Sequence, residues 1–331
     1  MRCAVTGASG HVGVHIVRTL IARGDQVRAI VRGKADVLDG LTLETATADV
    51  GSVGALRAGF AGREVVFHTA ARISIARRDA AMVEAVNVQG TRNVLAACRA
   101  AGVRRLVYFS SIEAIESRPW DTPVDEDRPA VAPTEGSPYA VSKASAEREV
   151  LAAGNGLEVV VVNPTAIIGP LDYRPSLLGR ALLAFARGRL PMIVDGGFDW
   201  VDVRDVAEAA VAAAERAPAG RRYILGGRWA SMAELALLVC AEVQKRPPRL
   251  KVPYLAALAW APISSGLTRL FGNEPLFTTY SLKVLRGNRQ VSHEKAAREL
   301  GYRPRDLRET IADTIRWFRD LGSLPAARFS G

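Results

Sequence analysis

Three residues carry side chains that are suited to proton transfer. Tyr139 and Lys143 lie four positions apart in a segment of helical periodicity, and Ser111 follows the strand-like segment Arg105–Phe109. Residues four apart share one face of a helix. A nearby ammonium stabilises a phenolate, which lowers the pKa of a tyrosine toward a value useful in catalysis. These residues predict a site in which a tyrosine exchanges a proton with a substrate whose oxygen the serine polarises.

A glycine-rich loop, Thr6-Gly7-Ala8-Ser9-Gly10-His11-Val12-Gly13, follows the first strand-like segment and opens a helix-like one. In such a loop the first glycine permits a tight turn, the second lets the backbone approach a pyrophosphate, and the third lets helix and strand pack closely. The pyrophosphate would lie on the free N–H groups at the start of the helix. The residues that we expect to bind a dinucleotide here are Gly7, Ser9, Gly10, His11, Val12 and Gly13.

The end of the second strand indicates which dinucleotide binds. An Asp or Glu there would bind the ribose 2′-hydroxyl of NAD. The sequence has Arg32-Gly33-Lys34 instead. Arg32 and Lys34 could pair with a 2′-phosphate, the arginine through its planar fork and the lysine as a point charge. We therefore expect NADP(H) to be favoured over NAD(H).

Strand-like and helical segments alternate through the first 160 residues. The predicted helices are His11–Arg23, Ala80–Ala101 and Tyr139–Ala153. The predicted strands are Arg2–Thr6, Gln26–Arg32, Glu44–Ala48, Val65–Phe67, Arg105–Phe109 and Leu157–Val162. This alternation predicts an α/β fold with a doubly wound parallel sheet of the Rossmann type.

Composition, charge and the lack of certain motifs argue against several classes of function. The 331-residue chain has a net charge of +10, but its cations are scattered without a long basic run, so we expect no nucleic-acid partner. Cys98 lies among apolar helix positions and indicates a buried free thiol, which favours the cytoplasm. The strand-like start at Arg2 leaves no room for a signal peptide. The four histidines fit no metal site, and no Gly-x-Ser-x-Gly hydrolase motif is present.

With these motifs together, the sequence resembles the extended short-chain dehydrogenase/reductase family, also called the NAD-dependent epimerase/dehydratase family. The glycine loop, the Ser111 segment, Tyr139 with Lys143, and Asn163-Pro164 carry the resemblance. It implies a Rossmann-type domain and a smaller substrate domain. Within the family, the chain is most similar to the dihydroflavonol-4-reductase-like and 3β-hydroxysteroid dehydrogenase-like branch.

The resemblance also implies roles for single residues. Tyr139 becomes the general acid/base, Lys143 binds the nicotinamide ribose and Tyr139, and Ser111 binds the reacting oxygen. Asn87 matches a family helix motif and joins the catalytic group. Further cofactor contacts are implied for Asp49, Val50, Thr69, Ala70, Ala71, Asn163, Pro164 and Thr165. A homodimer through the helices near 80–101 and 139–153 is implied by analogy.

Departures from the family's sugar-nucleotide enzymes favour simple carbonyl reduction. Ile112 stands where dehydratases carry Asp, although Glu113 remains, and Ala166 stands where epimerases tend to carry Asn. We expect an NADP(H)-dependent oxidoreductase that acts on a ketone, an aldehyde or the matching secondary alcohol of a small to medium, hydrophobic substrate. A sugar or sugar-nucleotide epimerase/dehydratase and a non-catalytic NADP-binding sensor are the alternatives.

The second half of the chain is predicted to form an interrupted substrate domain. The expected nucleotide-binding domain covers residues 1–165 with returning segments near 195–225, and the substrate domain covers 166–194 and 226–325. Helices are predicted over Pro175–Gly188, Val203–Arg216 and Ser231–Gln244. Val252–Leu270 is the most apolar stretch, and its prolines make a membrane span improbable. A packed helix is expected there, with an interfacial lid as the alternative.

Overall fold

The computed structural model describes residues 1–74, 76–154, 156–259, 282 and 285–325. The strands are β1 (Arg2–Thr6), β2 (Gln26–Val31), β3 (Glu44–Thr47), β4 (Val65–His68), β5 (Arg105–Phe109), β6 (Glu158–Pro164), β7 (Ala166–Ile168), β8 (Met192–Val194), β9 (Gly197–Asp202), β10 (Arg221–Leu225), β11 (Arg228–Ser231) and β12 (Leu250–Val252). Seven of them form one parallel sheet in the order β10-β6-β5-β4-β1-β2-β3.

Helices connect the strands. They are α1 (His11–Ala22), α2 (Val53–Phe60), α3 (Ala80–Glu84), α4 (Gly90–Ala100), α5 (Pro138–Ala152), α6 (Leu177–Arg187), α7 (Val203–Arg216), α8 (Met232–Glu242), α9 (Glu294–Leu300) and α10 (Leu307–Asp320). The helix predicted over Ala80–Ala101 is in fact interrupted, because a π-helical turn, Ala85–Gln89, joins α3 to α4. The sequence analysis did not predict α2.

The predicted doubly wound sheet is confirmed, and its core lies on both faces. Alternate residues of β1 point to opposite sides, as the pleat of a strand requires. Cys3 and Val5 pack with apolar residues of α1 and α7, whereas Ala4 packs with apolar residues of α2, α4 and α5. The inner strands β1, β4, β5 and β6 are buried almost throughout, as is typical of a parallel sheet that helices cover on both faces.

The strand order brings the predicted motifs to one edge of the sheet. The chain runs from β1 outward to β3 and then crosses back to β4, so the order reverses between β1 and β4. Thr6 pairs with both Ile30 and His68, and His68 pairs with Tyr108. The carboxyl ends of β1, β2, β4 and β5 therefore meet at the crevice where open α/β sheets bind ligands.

A second apolar unit lies beyond β6. Strands β7, β9 and β11 form a three-stranded sheet, and β8 pairs with β12. Apolar residues of α6, α8 and α10 pack together against the three-stranded sheet, while β10 returns to the large sheet beside β6. The domain boundaries proposed from the sequence stay a prediction.

The apolar stretch Val252–Leu270 is described in part. Val252 ends β12 and residues 254–259 are helical, whereas the remainder lies outside the described residues. Within the described part of the chain, no helix is both long and apolar enough to span a membrane. Cys98 is buried and free, as predicted, and so are Cys3 and Cys240.

Candidate active site

The glycine loop has the close backbone contacts that its spacing predicted. Gly7 has φ +68°, and a Cβ atom there would lie 2.8 Å from the backbone nitrogen of Ala70. A Cβ atom at Gly13 would lie 2.1 Å from the carbonyl oxygen of Gly7. Gly10 precedes α1, whose first turn has neither a side-chain cap nor an acidic residue. The loop therefore leaves backbone N–H groups for an anionic ligand, which fits the pyrophosphate of a dinucleotide.

Buried hydrogen bonds tie the end of β4 to this loop. The Nδ1 atom of His68 lies 2.7 Å from the Thr6 hydroxyl, and Nε2 lies 3.2 Å from the Thr91 hydroxyl. Thr91 donates its own proton to the carbonyl of Asn87 at 2.6 Å, so His68 donates from Nε2. Burial lowers the pKa of His68 to about 3, which keeps the ring neutral. Thr69 adds a bond from its hydroxyl to the Thr6 carbonyl at 2.7 Å.

Asn87 lies in the π-helical turn and holds the loop that follows β4. Its Oδ1 accepts from the Arg72 backbone N–H at 2.8 Å, and its Nδ2 donates to the Arg72 carbonyl at 3.0 Å. Nδ2 also donates to the Ser142 hydroxyl at 2.9 Å. These contacts join α5 to the loop beside the glycine motif. They give Asn87 a positioning role, and its direct part in catalysis stays a prediction.

Ser137 and Pro138 mark the start of helix α5, which carries Tyr139 and Lys143. The Ser137 hydroxyl accepts from the Ala140 N–H at 3.0 Å, and Pro138 occupies the first helical position. Both features mark a helix start. Tyr139, Lys143 and Glu147 then follow at intervals of one turn and are all buried. A stripe of three ionisable residues thus faces the sheet.

Tyr139 meets Ser111 at the carboxyl end of β5. Burial is the largest influence on the pKa of Tyr139 and raises it, and the charge of Glu113 raises it further, whereas a hydrogen bond with the Ser111 side chain lowers it. The Ser111 hydroxyl also accepts from the Glu113 N–H at 3.2 Å. The predicted pair of hydroxyl groups is therefore together in the structure, and both side chains are 9% exposed.

The ammonium of Lys143 is held at the end of β5. Its Nζ donates to the Phe109 carbonyl at 2.6 Å and lies 5.0 Å from the centre of the Tyr108 ring. Burial lowers the pKa of Lys143 to about 7, while the charge of Glu147 raises it. An ammonium in this position is close to its titration point near neutral pH, which suits a group that supports proton transfer.

Glu147 is a site residue that the sequence analysis missed. Its carboxylate accepts from the Asn163 Nδ2 at 2.8 Å and from the Arg222 guanidinium at 3.1 Å. Asn163 also donates to the Ser111 carbonyl at 3.1 Å. A buried chain of polar groups therefore links β10, β6 and α5 to the backbone of Ser111. The spacing of Glu147, one turn after Lys143, was the available signal.

We expect Glu147→Gln to shift the high-pH limb of the kcat profile to lower pH. The substitution keeps the size of the side chain but removes the negative charge that raises the pKa of Lys143. The ammonium would then lose its proton at a lower pH. Glu147→Asp retains the charge and should return the limb toward the wild-type position. An unchanged profile in Glu147→Gln would show that Glu147 only stabilises the fold.

The other predicted cofactor residues surround the same edge. Arg32 and Lys34 lie beyond β2 and are exposed; Lys34 pairs with Asp36 at 3.2 Å, whereas Arg32 has no ion pair with a described residue. Asp49 is exposed after β3 and accepts from the Gly51 N–H at 2.7 Å. His11 contacts the Pro170 carbonyl at 2.9 Å. The remaining placements are Ser9 and Ala71 (exposed), Val12, Val50, Thr69 and Ala70 (half-buried), and Pro164 and Thr165 (buried).

A cleft of about 630 Å³ opens beside Ser111 and Tyr139. The residues next to them in the chain, Ile112 and Ala140, line it. Its apolar lining includes Ile112, Ile115, Trp120, Val124, Val131, Phe198, Tyr254 and Val291. Its charged lining, among the described residues, is Glu113, Glu116, Glu135, Asp199, Arg118 and Arg286.

A comparison with models of known protein families identifies the family of this chain. The model of the NAD dependent epimerase/dehydratase family matches residues 3–226, which include the glycine loop and the serine, tyrosine and lysine. This chain belongs to that family. It is an NAD(P)-dependent oxidoreductase of the extended short-chain type.

Individual relatives match over nearly the whole chain. Sterol demethylase protein B of Methylococcus capsulatus is 38% identical over 331 residues, covering 98% of this chain and 100% of that protein. A putative dihydroflavonol 4-reductase of Synechocystis sp. is 33% identical, covering 96% and 94%. The crystal structure of gox2253 superposes with a TM-score of 0.86 at 35% identity, covering 98% and 99%.

Proposed function

We propose that this enzyme uses NADP(H) to reduce a ketone or aldehyde, or to oxidise the matching secondary alcohol, on a small to medium hydrophobic substrate. The observation that carries the proposal is the buried arrangement of Ser111, Tyr139 and Lys143 beside an apolar cleft. Relatives named for dihydroflavonol reduction and for sterol demethylation support a hydrophobic substrate.

Each residue of the site has a separate role in the proposed reaction. NADP(H), when bound, supplies or accepts the hydride. Tyr139 gives its proton to the substrate oxygen in the reductive direction, and the Ser111 hydroxyl holds that oxygen by a hydrogen bond. The Lys143 ammonium would stabilise the Tyr139 phenolate after the proton has left. The glycine loop would hold the pyrophosphate, and Lys143 the nicotinamide ribose.

The charge of the cleft favours this reaction over sugar-nucleotide chemistry. Among the described lining residues there are four carboxyl groups and two guanidinium groups. Arg118 is already paired with Glu135 at 2.7 Å, and Arg286 lies over the Tyr254 ring at 4.5 Å. A nucleoside diphosphate brings negative charge and needs cations in excess of the carboxyl groups around it. A neutral carbonyl compound has no such requirement.

Turnover of a carbonyl panel tests the proposal. Ketones, aldehydes, steroids, flavonoids and sugar nucleotides would be offered with NADPH, and NADPH absorbance followed. We expect stoichiometric oxidation of NADPH with at least one neutral carbonyl compound. Interconversion of a sugar nucleotide without net NADPH consumption would identify an epimerase. NADPH binding without turnover of any neutral carbonyl compound in the panel would contradict the proposal.

We expect NADPH to bind at least about tenfold more tightly than NADH, since one charged pair with the 2′-phosphate is worth about 1.5–3 kcal/mol. Arg32→Ala should remove most of that preference and leave NADH affinity nearly unchanged. Lys34→Ala is the matched control, because Lys34 already pairs with Asp36, and its effect should be smaller. Fluorescence titration with both nucleotides measures the affinities. Equal wild-type affinities would contradict the NADP(H) assignment.

Cellular location and assembly are further proposals. Three buried free thiols, Cys3, Cys98 and Cys240, support a reducing compartment such as the cytoplasm. The proposed homodimer would form through α4 and α5, whose outer faces carry the Arg92–Glu149 ion pair at 2.6 Å. Light scattering on the purified chain would measure the mass of the assembly.

A further inference from the structure

The smaller unit carries a basic surface that the proposed reaction does not use. Two segments form it, residues 187–194 and 245–255, and they are joined where β8 pairs with β12. We call this the β8–β12 surface. Its exposed cations are Arg187, Arg189, Lys245, Arg246, Arg249 and Lys251. Neither segment contains Asp or Glu. None of the six cations forms an ion pair with a residue that the structure describes, although Arg187 and Lys245 each donate to a backbone carbonyl and the exposed Asp195 directly follows the first segment.

Large aliphatic side chains are exposed among these cations. Met192 is 40% exposed, Leu250 58% and Leu255 76%. Leu250 pairs directly with Met192, two residues before the pair of Val252 with Val194. Side chains two apart in a strand share a face. Val194 and Val252 pack against Leu282 and Leu285. Met192 and Leu250 therefore lie on the same face of this two-stranded sheet, at its exposed end.

We propose that the β8–β12 surface docks on an anionic membrane surface. Exposed aliphatic groups enter the boundary between lipid headgroups and acyl chains, while the lysines and arginines of the same two segments meet the lipid phosphates. A nucleic acid would satisfy the cations but leave Met192, Leu250 and Leu255 in water. The six exposed cations and three exposed aliphatic side chains on these two paired segments together favour lipid.

The surface also borders the cleft. Tyr254 lines the cleft, and Leu255, the next residue, is exposed on the β8–β12 surface. Docking would bring the cleft next to the lipid, where a hydrophobic carbonyl compound partitions. Docking itself does not depend on the proposed function, because it requires no turnover.

Vesicle flotation of the full chain tests the inference. Vesicles of phosphatidylcholine alone would be compared with vesicles that also contain phosphatidylglycerol. We expect binding to the anionic vesicles that weakens as salt is raised. Arg249→Gln with Lys251→Gln should weaken that binding about thirtyfold, because each cation near an anionic leaflet contributes about fivefold. Leu250→Ser with Leu255→Ser should also weaken it, although the charge is retained.

The matched control removes the same charge elsewhere. Arg18→Gln with Arg57→Gln changes two exposed cations of α1 and α2 and should leave vesicle binding at the wild-type level. NADPH binding, measured in every variant, shows that each one is folded. Equal vesicle binding by wild type and both surface variants would overturn the inference. Retention on double-stranded DNA or polyglutamate without vesicle binding would overturn it as well.

Discussion

Replacement of Tyr139 by phenylalanine is expected to lower kcat by about 10²- to 10⁴-fold, the range that proton-transfer catalysis contributes. The substitution removes the hydroxyl that lies with Ser111 beside the cleft and keeps the ring that is packed on the buried face of α5. NADPH affinity should therefore stay close to that of the wild type. Steady-state turnover of the best carbonyl substrate and NADPH titration measure the two quantities.

Tyr223→Phe is the control for this experiment. Tyr223 lies on β10 of the same sheet, and its hydroxyl donates to Glu299 at 2.8 Å, away from the cleft. Its loss should leave kcat nearly unchanged. Wild-type turnover in Tyr139→Phe would show that another group transfers the proton and that the site is wrongly assigned.

Lys143→Ala is expected to reduce both turnover and NADPH affinity. The ammonium donates to the Phe109 carbonyl and lies 5.0 Å from the centre of the Tyr108 ring, one helical turn after Tyr139. Its removal takes away the positive charge that stabilises a phenolate, and the proposed contact with the nicotinamide ribose. If kcat fell and NADPH affinity did not change, the proposed ribose contact would be wrong, whereas the role of Lys143 in proton transfer would stand.

Lys143→Met separates the charge from the packing. Methionine fills the space of the lysine stem, so its catalytic defect reports the missing ammonium. The stability of the wild type relative to this variant should also depend on pH. Burial lowers the pKa of Lys143 to about 7 from the ordinary 10.5, so the unfolded wild-type chain binds more protons between these values. The free energy of unfolding of the wild type should rise relative to Lys143→Met as pH increases from about 7 to 10.5. Urea unfolding at several pH values measures this difference.

Features that depend on neighbouring residues were predictable from the sequence. The glycine spacing from Gly7 to Gly13 predicted a tight turn into a helix, and φ +68° at Gly7 agrees. The four-residue interval of Tyr139 and Lys143 predicted a shared helix face, and both are buried on α5. Six strands of the large sheet, β1 to β6, were predicted within one or two residues at each end.

Other features depend on contacts between distant residues, and periodicity does not report them. Asn87 matched a helix motif, yet the π-helical turn around it and its bonds to Arg72 were not predictable from that pattern. Glu147 fitted an ordinary helix position, and its role became visible when Asn163 and Arg222 were found beside it. Arg32 and Lys34 were both predicted to contact the 2′-phosphate, and the structure adds the pairing of Lys34 with Asp36.

The sequence by itself determined the parallel α/β class, the dinucleotide loop and the tyrosine–lysine pair. Each of these features depends on the spacing of residues that are close together in the chain, and local backbone geometry fixes where such residues lie. The tertiary structure decided the strand order, which brings the end of β4 beside the glycine loop. It also decided the buried chain from Arg222 to Ser111 and the composition of the cleft. These features join residues that are far apart in the chain, so they exist only after the sheet has assembled.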